Sequence, residues 1–149
     1  MTFKFQISVL TITIWLTNVI ISCGQSPKTK IDTLETAVLP VDQILTETEL
    51  QPIDSLFIAC VDDHNNSLGE NQKELRIDLN KYEYKKQLLV SKTKEGNKIV
   101  WVNCLCRTWS KINWKKEIVT VNDGGNCYFN FIIDLKNKTF RDLIVNGSG

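Results

Sequence analysis

Thiols are the residues best suited to chemistry in this sequence: Cys60, Cys104, Cys106 and Cys127, with a further cysteine at position 23 and a single histidine, His64. A thiolate can serve as nucleophile, soft-metal ligand or half of a disulfide, and each use wants a different setting. A redox pair is more often Cys-x-x-Cys at the start of a helix, where the dipole lowers the thiol pKa. Cys104-x-Cys106 has another spacing and lies in an alternating run. Zinc wants four ligands at recognisable spacings, and Cys60, His64, Cys104 and Cys106 make a weak version of that set. Asp63, Asn65, Ser67 and Glu74 occupy positions one, three, five and twelve of a calcium-loop template, but Gly69 falls seventh where the template needs it sixth. No metal and no cofactor are therefore expected.

His64 stands beside Asp62 and Asp63 and could act as a general base, yet a run of Asp and Asn is first of all a solvated turn. There is no Ser, His and acid set, no glycine-rich phosphate loop and no HExxH sequence. The reading leans away from an enzyme, with a small enzyme using Cys104, Cys106 or His64 as the alternative. Trp109 and Trp114 lie among Arg107, Lys111, Lys115 and Lys116. If that connection is exposed, it forms an aromatic, basic recognition patch; otherwise both indoles cap one end of the core.

The first residues supply an address. Lys4 is the only charge before Cys23, and Phe5 to Ile21 is a nearly unbroken apolar stretch, the pattern of a charged region followed by a hydrophobic one. It ends in Ile20-Ile21-Ser22-Cys23-Gly24, which resembles the lipobox of bacterial lipoprotein signal peptides. The resemblance covers residues 1–23 and implies location only: residues 1–22 are removed, Cys23 is acylated, and the protein is held in the cell envelope. Two acyl chains suffice for stable attachment, at about 0.8 kcal/mol for each buried methylene. The first charges after the cysteine are Lys28 and Lys30 rather than acids, which favours a periplasm-facing site. An oxidising compartment in turn makes disulfides the first expectation for Cys60, Cys104, Cys106 and Cys127, with three connectivities open. Buried free thiols are the alternative.

Those side chains need a scaffold. Residues 23–41 are read as a lipidated cysteine and tether, and residues 42–149 as one domain. Residues 24–80 carry eleven acids against four bases, and residues 81–149 carry thirteen bases against six acids. The two halves of one fold are expected to neutralise each other. With no net field, nucleic acid is not an expected partner; a protein partner and the membrane are.

Asp42 to Val61 is the helical candidate, divided at Pro52, with Asp54 capping Ser55 to Val61. Asp62 to Gln72 reads as a loop, and Glu74–Leu79, Tyr82–Lys92, Lys98–Arg107, Glu117–Asn122, Cys127–Leu135 and Thr139–Asn146 as strands, with glycine turns at 94–97 and 123–126. In the two clearest, Val100, Val102, Cys104 and Cys106 share a face, as do Cys127, Phe129, Phe131, Ile133 and Leu135. The expected fold is α+β: an antiparallel meander of four to five strands with one N-terminal helix on its inner face, or alternatively a small all-β barrel or sandwich. If Glu117–Asn122 lies between its neighbours, Cys127 starts roughly 20 Å along the strands from Cys104 and Cys106. A bridge allows only about 4.4 to 6.8 Å between Cα atoms, so the meander predicts Cys60 as the partner of one of the three.

Overall fold

The structure, a computed structural model, describes residues 34–39 and 44–147; residues 1–23, on which the signal-peptide and lipidation expectations fall, lie outside them. The fold is α+β. Strand β1 (Thr36–Leu39) is followed by helix α1 (Glu47–Ser67), then by β2 (Lys85–Lys92), β3 (Lys98–Leu105), β4 (Tyr128–Asp134) and β5 (Thr139–Val145), which form one sheet in the order β1-β2-β3-β4-β5. The meander from β2 to β5 is antiparallel as expected, but β1 runs parallel to β2. The sheet is therefore mixed, and the helix follows a strand. The correction has a simple cause: parallel neighbours need a long crossover, and α1 supplies it. Thr36–Leu39, in the stretch read as tether, already belongs to the sheet.

Helix α1 runs through Pro52 rather than starting after it. Thr46 caps it: the Glu49 N–H donates to Thr46 Oγ1 and the Thr46 N–H to Glu49 Oε2, a reciprocal capping box. Pro52 sits in the second turn, where its missing N–H and its ring disturb only the turn around Thr48, an exposed residue. Against that cost stands the stripe Ile53, Phe57, Cys60 and Val61, fully buried at helical spacing. The helix also absorbs Asp62–Ser67. A 3₁₀ segment (Glu70–Leu75) follows, and no strand forms at 74–79. In place of a strand ladder, Asn65 clamps Ile77, with Nδ2 donating to the Ile77 carbonyl at 2.8 Å and Oδ1 accepting its N–H at 2.9 Å.

The helix-facing side of the sheet is the main core. It joins Tyr84, Leu88 and Val90 of the β2 region to Val100, Val102 and Cys104, and to Phe129, Phe131 and Ile133, around Phe57. These are the alternating faces expected from the sequence. Edge strand β5 slips register between Asn130 and Ile132, with Asp142 at φ 58° in the left-handed region.

The outer face differs from expectation. Glu117–Asn122 is not a strand, because β3 already has β2 and β4 as neighbours. The excursion from Cys106 to Gly124 lies across the outer face instead, held by side-chain amides. Gln87 Nε2 donates to the carbonyls of Trp114 (2.5 Å) and Glu117 (2.7 Å), and Gln87 Oε1 accepts the Val119 N–H (3.0 Å). Asn103 Nδ2 donates to Gln87 Oε1 (2.9 Å) and to the Val119 carbonyl (2.8 Å), and Asn146 donates to the Val121 carbonyl. Buried amides so satisfied replace a sheet ladder.

The charge halves do meet. Of the six ion pairs among the described residues, Lys85–Glu35, Lys86–Asp54, Lys98–Glu49 and Lys115–Glu35 each join an acid of the first half to a base of the second. Glu49 is held down to about 2 from the usual 4.5, first by the Thr46 N–H and then by Lys98. A carboxyl lowered by folding stabilises the native state above its unfolded pKa and loses that contribution as it protonates. The urea midpoint should fall between about pH 4.5 and 2, and Glu49→Gln should flatten the fall. Glu35, Glu95 and Asp134, also lowered, leave a residual slope.

Candidate binding cleft

The candidate site grows from the point where β3 and β4 separate. Their last pair is Leu105 with Tyr128, and one step further Cys106 and Cys127 still face each other. The Cys106 N–H donates to the Cys127 carbonyl at 2.9 Å, and the side chains form a disulfide with Cα atoms 5.0 Å apart. The expectation that Cys127 could not reach Cys106 is thus overturned. It required an intervening strand, and once β3 and β4 pair directly the two cysteines become cross-strand neighbours.

Beyond the disulfide opens a cleft of about 730 Å³, lined among others by Tyr82, Arg107, Trp109, Asp123, Gly124 and Tyr128. Tyr128 is its buried floor, with its hydroxyl donating to the Arg107 carbonyl at 3.5 Å. Trp109 is 48% exposed and stacks parallel to Tyr128, with ring centroids 6.1 Å apart and planes 4° apart. Gly124 lies flush against the same tyrosine: a Cβ there would stand 2.6 Å from Cδ2 and Cε2, at a φ of +105° that side-chain-bearing residues rarely adopt. Asn126 ties the rim to the rest of the domain, donating to the Arg76 carbonyl at 2.6 Å while its own carbonyl accepts the Tyr84 hydroxyl at 2.7 Å.

Gly124→Ala should therefore push Tyr128 off its seat, at a cost of about 2 kcal/mol from backbone strain and displaced packing. Near-ultraviolet circular dichroism should lose the Trp109–Tyr128 signal, and an unchanged spectrum and urea midpoint would contradict the close approach.

The aromatic, basic patch expected from the sequence divides in two. Arg107 and Trp109 line the cleft. Trp114 is buried at 8% exposure and packs with Ala37, Leu105 and Val119. Lys85 and Lys115 lie over its ring at 5.1 and 5.3 Å, and both reach Glu35, at 3.2 and 3.5 Å. Trp114 is thus a clasp between the excursion and the chain entering β1, while Lys111 and Lys116 remain exposed on the loop.

The free thiols sit elsewhere. Cys60, expected as the partner in a bridge, is instead free, and it and Cys104 are buried in the main core. Burial, with Asp63 adding to it, pushes Cys60 up to about 12. Burial also drives Cys104 upward, against the opposing pull of Lys86. Both stay protonated at neutral pH and pack as small hydrophobes. His64 lies on α1, its Nε2 3.2 Å from the Leu75 carbonyl. Residues of the calcium-loop template are dispersed, with Asn65 committed to Ile77 and Asp63 and Ser67 on the helix. Among the described residues, no three His, Cys, Asp or Glu side chains gather as metal ligands.

No protein-family model, curated protein or solved structure matches this chain. The cleft therefore has to be read from its own chemistry. Tyr128 joins it as an aromatic neighbour of the tryptophans, whereas Asp123 and Gly124 were expected only as a turn and Tyr82 only as the start of a strand. Their signal was the pair of cysteines bracketing a long segment with two adjacent glycines.

Proposed function

We propose that this chain is a membrane-anchored cell-envelope lipoprotein, held by acyl chains on Cys23, whose folded unit is a small non-enzymatic binding module. The cleft at Trp109, Tyr128 and Arg107 is its working surface. The observation that carries this reading is the half-exposed indole held parallel over a buried tyrosine beside a disulfide. Rigid aromatic and arginine side chains are the anchors that recognition surfaces favour, and a structural disulfide suits an oxidising envelope. The lipobox-like run at 20–24 supplies the location. Among the described residues no helix is long and apolar enough to cross a membrane.

The test is co-purification from detergent-solubilised membranes, where no bilayer remains. A stoichiometric partner retained by the native lipoprotein and lost from a folded Trp109→Ala, Arg107→Ala variant is the expected result. Equal recovery with both proteins, or with neither, would reject the cleft as the working surface.

A further inference from the structure

The loop between Arg107 and Ile118 carries more free charge and exposed apolar surface than its packing role needs. Lys111 and Lys116 are exposed and form no ion pair among the described residues, and Glu117 is the one acid in the segment. Two large apolar side chains flank them, Trp109 at 48% and Ile118 at 51% exposure. The loop also marks where the chain from Cys23 arrives. Glu35, just before β1, is gripped by Lys85 and by Lys115 of this loop, and its carbonyl accepts the Lys86 N–H at 2.8 Å.

The opposite end of the sheet, with Lys94 in the β2–β3 turn and Lys138 in the β4–β5 turn, is roughly 27 Å further along the strands. The twelve residues from Cys23 to Glu35 reach at most about 40 Å when fully extended. With that reach the opposite end can face the bilayer only if at least about 27 Å of the connecting chain is laid out along the sheet, whereas the loop's end can meet it at any extension.

We infer that this loop docks on the surface of an anionic phospholipid bilayer, with Lys111 and Lys116 at headgroup phosphates and Trp109 and Ile118 at the interface. The inference rests on the reading of Cys23 as acylated, and it gives that anchored module an orientation. A lysine near an anionic surface favours the bound state about fivefold. Tryptophan settles at headgroup depth, and lysine stems lie along apolar surface while their amines reach phosphate. The cleft, which shares Trp109 with the loop, then opens at headgroup level.

The test uses the native lipoprotein reconstituted into vesicles of phosphatidylcholine alone or phosphatidylcholine with phosphatidylglycerol. Exposed amines are acylated by a membrane-impermeant reagent, and the sites and the state of Cys23 are read by mass spectrometry. Lys111 and Lys116 should react about fivefold more slowly on the anionic vesicles, with protection fading at high salt, while Lys94 and Lys138 react alike on both. Equal reaction of all four lysines on anionic vesicles, with acyl chains found on Cys23, would overturn the docking and leave the anchor standing. Protection of Lys94 and Lys138 instead, or protection as strong on phosphatidylcholine alone, would also overturn it. An unmodified Cys23 sulfur would remove the anchor; protection that persisted would keep the docking, and its loss would count against both.

Discussion

Asp54→Ala should destabilise the protein by about 3 kcal/mol, whereas Lys86→Met should leave stability unchanged or raise it. Lys86 is only 2% exposed and projects from β2 into the helix-facing core, its amine 5.3 Å from the centre of the Phe57 ring. Its charged partner is Asp54, half-exposed on the second turn of α1. Deleting the carboxylate strands an ammonium among Phe57, Leu88 and Cys104, with the aromatic face as its remaining support. Methionine has a similar length and no charge to desolvate, so it fills the same space at little cost. Urea unfolding of both variants decides the matter, provided the slope of the transition is unchanged. A small loss for Asp54→Ala would mean that the lysine escapes to water.

The second large effect belongs to the disulfide. Joining Cys106 to Cys127 closes a loop with a sequence separation of 21, and losing it should cost about 3 kcal/mol through the freedom returned to the unfolded chain. The double variant Cys106→Ala, Cys127→Ala should show that loss in urea, and reduction of the native protein should match it. The consequence for the cleft is separable from stability. Both cysteines line it, and Arg107 and Trp109 follow directly on Cys106, so the indole should lose its fixed seat on Tyr128. A drop in the near-ultraviolet tryptophan signal under conditions where the variant is still folded is the expected mark. An unmoved urea midpoint would assign the hold on the excursion to Gln87, Asn103 and Asn146 alone.

How much of this was legible beforehand follows from which forces are local. The faces of β3 and β4 were readable because alternation is written into consecutive residues: Val100, Val102 and Cys104, and Phe129, Phe131 and Ile133, are all buried. The start of α1 was misread because Pro52 is a strong local breaker, whereas the burial of Phe57 that outweighs it depends on strands far along the chain. Glu117–Asn122 has strand-like residues but no vacant neighbour, and whether a neighbour is vacant is a property of the sheet. Gln87 and Asn103 gave a faint sign, being polar amides inside apolar strands. Only with the excursion in place do they become its anchors. A disulfide among these cysteines was legible, but its pairing was not, for the same reason: the expected geometry followed from the wrong strand order. The cleft was half visible: Arg107 and Trp109 belong to it, and Trp114 turned inward because Lys85 and Glu35 were there to enclose it.

One detail of β5 bears on how copies of this protein behave beside one another. A strand at the rim of a sheet offers unpaired amides and carbonyls on which a neighbour can assemble. Here the slip opposite Phe131 and the left-handed Asp142 bring those groups out of step midway along the strand. The other rim, β1, is only four residues long. A sheet finished in this way resists end-on growth into fibrils even when many molecules are crowded together.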